Sequence, residues 1–406
     1  MLKLRLNLII HILKIKKEIM NNNMISERVK NVPFSGIRKF FELVQETEGV
    51  VSLGVGEPDF PTPEPIKDAG IRAIESDLTA YTSNYGIPEL RQKISEKLKN
   101  ENNISADPKS EILITTGTSE ALDIAVRAIL NPGEEIIIPE PSYVAYGPTI
   151  WFASGNPVSI PTTEENEFSV QPGDIAEKIT GKTKAVIIAS PNNPTGSIIR
   201  KKELEEIADL AIEHNLIIIS DEIYEKLIYD DEKHYSIASF NGMKERTITI
   251  NGFSKSHAFT GWRIGYSCAN PEITEAMMKI HQYAMLCAPS ISQHALLKSF
   301  ECGDYVKDMM KSYNRRRRLL VAGLNDIPKI SCIMPKGAFY AFPNIKETGL
   351  TSDEFAEKLL KEVGVAVVPG SVFGKSGEGY IRCSYSVSRE TISEALKRIR
   401  EFIEGL

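Results

Sequence analysis

From Ile112 onward the chain alternates short, almost uninterrupted apolar runs with stretches of helical periodicity, and that alternation leaves few folds open. Residues 112–115, 135–138, 185–189, 216–219, 247–250 and 264–267 hold too few polar positions to present a face to water. Strands of this kind, spaced by helices, build a mostly parallel sheet covered on both faces. One of the spacing helices, 201–214, places Leu204, Ile207, Ala208, Ala211 and Ile212 on a single face. After about Pro289 the pattern turns to longer helices with few strands. There Thr351-Ser-Asp-Glu354 has capping-box spacing ahead of Phe355, Leu359 and Leu360, and Gly364 stands where the helix would stop. The expected fold class is therefore α/β, a large sheet domain with a second, smaller α/β domain.

A length of 406 residues, 42% of them hydrophobic and 25% charged, suits two domains with cores of their own. The net charge of -6 gives no reason to expect nucleic acid, and the run Arg315 to Arg318 reads as a solvated helix face. Five scattered cysteines without C-x-x-C spacing argue against a zinc site or a disulfide framework, so no metal is expected and a reducing cytoplasm fits. Residues 1–23 are basic and rich in Leu and Ile. Lys3, Arg5, Lys14, Lys16 and Lys17 leave far fewer than the ~20 apolar residues of a membrane span, and no small-residue cleavage site follows. That segment reads as a disordered tail or as a start placed too early. Gly54-Val-Gly56 lacks the third glycine of a dinucleotide fingerprint.

Three places carry chemistry on their own terms. The run 112–115 passes through Gly117, Thr118 and Ser119 into a helical pattern, so a helix N-terminus offers free N–H groups to an anion, although a plain helix cap would look the same. Asp221 ends an apolar strand, at the edge where parallel sheets bind ligands; an aspartate there is also an ordinary turn former. Lys255 follows another strand and precedes Arg263 by eight residues, pairing a candidate amine nucleophile with a permanent cation suited to phosphate.

Together, T-G-T-S-E at 116–120, S-P-N-N-P-T-G at 190–196, S-D-E-I-Y at 220–224, the Lys255 stretch and Y-I-R-C-S-Y at 380–385 resemble the class I/II aminotransferases in order and spacing. G-E-P-D-F at 56–60, P-K-G-A-F-Y at 335–340 and V-V-P-G-S-V-F-G at 367–374 make the likeness closest to the archaeal aspartate/aromatic branch. The resemblance runs from about Met24 to the C-terminus. It implies the pyridoxal-phosphate transferase fold of type I, with a seven-stranded type of sheet, residues 24–56 and 297–406 in the small domain and 57–296 in the large cofactor-binding one.

The resemblance also implies roles. Lys255 would form the Schiff base with pyridoxal 5'-phosphate; Gly117, Thr118, Ser119, Ser254 and Arg263 would hold the phosphate; Asp221 would meet the ring nitrogen; Asn193 and Tyr224 would meet the phenolic oxygen. Tyr143 would stack on the ring, Tyr81 would reach the neighbouring subunit's phosphate in a homodimer, Arg382 with Gly56 would receive the substrate carboxylate, and Asn193 would also contact the substrate. Gly252 departs from the serine that many members carry there, which puts one phosphate contact in question. The implied reaction moves an amino group from an L-amino acid, aspartate or aromatic, to a 2-oxo acid such as 2-oxoglutarate. A β-lyase or synthase on the same scaffold is the alternative. Phe34, Phe40 and Tyr85 are open to either a side-chain pocket or the core.

Overall fold

The computed structural model describes residues 24–30, 32–34, 36 and 49–406. The readings of residues 1–23 and of Phe40 lie outside the described residues. Seven strands form the main sheet, in the spatial order Ile112–Thr115, Gly265–Cys268, Thr247–Gly252, Ile217–Asp221, Thr183–Ala189, Glu135–Glu140, Asn156–Pro161. All run the same way except Gly265–Cys268, which is antiparallel to both neighbours. The connection 253–264 contains no helix, and a parallel return needs a longer crossover. The central strands are apolar on both sides because helices cover both: Gly117–Ile129 packs over one face, where Leu113, Ile187, Ile219 and Ile248 join it in one core, and Lys201–Glu213 helps cover the other. Ile212, expected on the buried face of that helix, is 44% exposed.

A further core holds the long helix Gly303–Asn325, the helices Ser352–Val363 and Arg389–Glu404, and a three-stranded antiparallel sheet of Val368–Pro369, Ile381–Ser384 and Tyr340–Ala341. The strand Val51–Ser52 pairs in parallel with Val365–Ala366, so the chain ahead of the main sheet is stitched to the C-terminal half. At the start of Ser352–Val363 the Thr351 hydroxyl accepts from Glu354 N, and the Glu354 carboxylate accepts from Thr351 N, satisfying two otherwise orphaned donors. Gly364 closes that helix at φ 67°.

The arginine run departs from the expected solvated face. Arg315 and Arg318 are exposed, but Arg317 is fully buried, its guanidinium 4.5 Å from the Tyr229 ring and donating to Asp230 and the Pro335 carbonyl at 2.6 Å. Arg316 reaches Asp59 at 2.8 Å. No helix among the described residues is long and apolar enough to cross a membrane.

Candidate active site

The carboxyl edge of the main sheet gathers the chemistry. Thr115 runs into the helix at Gly117, Ala189 into the loop carrying Asn193, Asp221 ends its strand, Gly252 leads to Ser254 and Lys255, and the antiparallel strand brings Arg263 back to the same edge. Arg382 enters from the small sheet. These meet in a cavity of about 540 Å³ lined by Gly56, Thr118, Ser119, Tyr143, Asn193, Asp221, Tyr224, Ser254, Lys255, Arg263 and Arg382. Gly117 lies just beneath: at φ 78° it carries no side chain, and a Cβ there would sit 2.5 Å from an Arg263 guanidinium nitrogen. Tyr81 stands apart from the cavity and is 83% exposed in the single chain. Phe34 is exposed, and Tyr85 packs beside the core under helix Gly117–Ile129, so neither lines the cavity. Gly252 also lies off it, facing the backbone of Ile264 and Gly265 at 3.2 Å from a would-be Cβ.

Charge in the cavity is unbalanced in a telling way. Lys255 Nζ donates to the Gly56 carbonyl at 2.7 Å, Arg263 to the Thr260 carbonyl at 2.9 Å, and Arg382 to Asn193 Oδ1 at 3.0 Å and the Gly54 carbonyl at 2.8 Å. Among the described residues none of these three cations has a carboxylate ion-pair partner. Arg382 is 2% exposed, and its buried Nε has no hydrogen-bond partner. A buried cation is ordinarily paired; Arg382 is buried, Lys255 half-buried and Arg263 exposed at the cavity mouth, and three cations facing one cavity suit an anionic ligand, with a helix N-terminus adding to the attraction. Desolvation, reinforced by the positive charge of Arg382, lowers Lys255 to about 8, which makes its neutral amine accessible near physiological pH. Desolvation raises Asp221, opposed by a hydrogen bond from Tyr146 and one from Ile223 N–H. Burial holds Tyr224 well above the ordinary phenol range, assisted by Tyr340.

Tyr146, Tyr340, Thr260 and Glu57 also line the cavity, and the sequence reading did not single them out. Tyr146 Oη donates to Asp221 Oδ2 at 2.8 Å, Thr260 Oγ1 donates to Glu57 at 3.0 Å, and the Tyr340 and Tyr224 hydroxyls are 2.8 Å apart. Tyr146 follows Tyr143 by three residues and opens the helix Tyr146–Phe152, a spacing that could have flagged it.

A mostly parallel sheet with a lysine, an aspartate and an arginine at its carboxyl edge, met by a second arginine from a small sheet, is the architecture of a fold-type-I pyridoxal phosphate enzyme. The family model for aminotransferase class I and II matches residues 48–399, and the chain belongs to that family. It is 50% identical to an aspartate aminotransferase of Pyrococcus abyssi over 382 residues, 93% of this chain and 98% of the relative. To aromatic-amino-acid aminotransferase 2 of Thermococcus litoralis it is 47% identical over 383 residues, 94% and 98% of the two chains. A crystal structure of an aromatic aminotransferase from Pyrococcus horikoshii superposes with TM-score 0.87 at 48% identity, covering 90% of this chain and 99% of that one. The chain is an amino-acid aminotransferase.

Proposed function

We propose that this aminotransferase carries pyridoxal 5'-phosphate on Lys255 and moves amino groups from aspartate or aromatic L-amino acids to 2-oxoglutarate. The observation that carries the reading is the set of three cations, Lys255, Arg263 and Arg382, facing one cavity together with Asp221. The fit is good: the Gly117 cradle, the hydroxyls of Thr118, Ser119 and Ser254, and Arg263 suit a phosphate. When bound, the cofactor supplies an electron sink through its protonated ring nitrogen.

In this reading an ionised Asp221, oriented by Tyr146, would keep that nitrogen protonated, and Asn193 and Tyr224 would supply donors for the phenolic oxygen. Tyr143, which lines the cavity, would cover the ring face. Arg382 binds the substrate carboxylate with Gly56 admitting close approach, which fixes the Cα–H bond for proton removal. Lys255, with its amine free, would be the base placed to take that proton from the substrate and to hold it for return.

The donor classes come from the aspartate and aromatic relatives. We further propose a cytoplasmic homodimer in which Tyr81 completes the neighbouring subunit's phosphate site, a reading supported by the exposure of Tyr81, Leu78, Tyr283 and Met285. The division into a cofactor domain at 57–296 and a small domain of 24–56 with 297–406 is supported by the pairing of Val51–Ser52 with Val365–Ala366. The test is a panel of amino donors assayed with 2-oxoglutarate and pyridoxal phosphate. Glutamate formed from aspartate or aromatic donors supports the reading. Pyruvate and ammonia without glutamate would point to lyase chemistry and sink it.

A further inference from the structure

Tyr340 touches three parts of the site at once. Its hydroxyl is 2.8 Å from that of Tyr224 and 3.4 Å from the Gly56 carbonyl, and the Arg382 guanidinium lies 4.4 Å from its ring centroid. Arg382 is also 5.1 Å from the Phe373 ring, so two aromatic rings contact one guanidinium. A Cβ on residue 56 would come within 3.1 Å of Tyr340 Oη, which ties the glycine there to this tyrosine.

A buried phenol has one proton to donate. Tyr340 and Tyr224 are both buried and both held protonated by that burial. The Gly56 carbonyl, the other acceptor near Tyr340, already receives Lys255 Nζ at 2.7 Å. An anionic oxygen placed against Tyr224 draws the Tyr224 proton toward itself, and the Tyr224 oxygen then becomes the better acceptor for Tyr340. Donors linked in this way strengthen one another. The ring contributes separately, because a planar guanidinium stacks on an aromatic face and loses orientational freedom there.

We propose that Tyr340 is a positioning residue for the transamination site: its hydroxyl backs Tyr224 as a donor to the cofactor's phenolic oxygen, and its ring orients Arg382 toward the substrate carboxylate. The inference rests on the assignment of this cavity to pyridoxal phosphate. Donors at the phenolic oxygen stabilise its negative charge, and this lowers the pH at which the conjugated nitrogen gives up its proton. Losing the Tyr340 hydroxyl therefore raises that pH.

The test compares Tyr340→Phe, Tyr340→Leu and Tyr224→Phe holoenzymes with the parent by pH titration of the visible absorbance band and by KM for the amino donor. Tyr340→Phe is expected to move the titration midpoint up by ~0.5–1 pH unit, with KM changed less than ~2-fold because the ring remains. Tyr340→Leu is expected to move the midpoint alike and to raise KM by roughly 10-fold through a freed guanidinium. In a Tyr224→Phe background, Tyr340→Phe should move the midpoint little further, a coupling that a general packing role would not produce. An unchanged midpoint in Tyr340→Phe, or an equal shift without Tyr224, overturns the hydroxyl role. Equal KM values in the Phe and Leu variants overturn the ring role. A parent protein that takes up no pyridoxal phosphate removes the cofactor assignment itself, and the inference with it.

Discussion

Tyr146 Oη donates to Asp221 Oδ2 at 2.8 Å, while Asp221 Oδ1 accepts from Ile223 N–H at 3.2 Å, so both oxygens of the carboxylate are held. This positions a charge in a place that disfavours it. Desolvation raises the Asp221 pKa even with these two donors, so the folded protein binds the proton more tightly than the unfolded chain does. The stability this group contributes is present at low pH and is lost as pH rises from the ordinary carboxylate range through the raised value. Asp221→Asn removes that dependence. Cofactor-free Asp221→Asn should resist urea at least as well as the parent at neutral pH, its advantage shrinking on acidification, while the loaded variant loses several orders of magnitude in turnover. Wild-type turnover in the asparagine variant would show that ring protonation does not depend on this charge.

Lys255 gives a second pH dependence. With the amine lowered to about 8, first by desolvation and then by Arg382, roughly a tenth of it is neutral at pH 7, far more than for a lysine near 10.4. Capture of pyridoxal phosphate by the cofactor-free protein should therefore accelerate with pH and level off above about 8. Arg382→Met, which removes a neighbouring positive charge, should move that midpoint upward. Stopped-flow absorbance across pH 6–10 measures both, and a midpoint near that of a free lysine would contradict the local electrostatics. Borohydride reduction followed by peptide mapping checks that Lys255 is the labelled residue.

Gly117 tests the phosphate cradle. Alanine at φ 78° costs ~1–2 kcal/mol of backbone strain, and its Cβ would displace the Arg263 guanidinium. Because that guanidinium is the free end of a flexible side chain, the displacement should tax binding more than folding. Fluorescence titration of Gly117→Ala should show roughly 10-fold weaker cofactor affinity, about 1.4 kcal/mol. Unaltered affinity would place the phosphate elsewhere.

How much of this was legible beforehand depends on whether a signal was local. The apolar runs revealed the sheet because each strand is buried on both faces, and Asp221, Lys255 and Arg263 revealed the site because each sits at a strand end. Tyr340 reaches Tyr224 across 116 residues of chain, and no local pattern announces such a contact. The same is true of Arg317: a run of arginines reads as a wet helix face until Asp230, Tyr229 and the Pro335 carbonyl arrive from other parts of the chain to receive the guanidinium. The antiparallel direction of Gly265–Cys268 was within reach, since the connection 253–264 has no helical period to carry a crossover.

Arg317 also yields a stability prediction. Truncation to alanine removes a buried stem, a ring contact and an ion pair, and should cost roughly 2–4 kcal/mol, below the ~3–5 of a fully buried pair, because Asp230 keeps 38% of its side chain exposed. Arg317→Met keeps the stem and should cost less. Urea denaturation distinguishes them, and a cost below ~0.5 kcal/mol for alanine would mark the pair as incidental.

Tyr81 offers the sharpest test of a shared site. It lies outside its own subunit's cavity and is 83% exposed, so a role at a phosphate requires a second chain. Loss of one neutral donor should weaken cofactor binding by ~0.5–1.5 kcal/mol, several-fold in affinity. Mixing Tyr81→Phe subunits with Lys255→Ala subunits distinguishes the arrangements. If Tyr81 serves the neighbouring subunit, each heterodimer holds one site with both defects and one fully wild-type site. If it serves its own subunit, the lysine-bearing site always carries the tyrosine defect. Heterodimers whose lysine-bearing site binds pyridoxal phosphate with wild-type affinity therefore establish the trans contact, whereas the weakened affinity of the Tyr81→Phe parent rules it out.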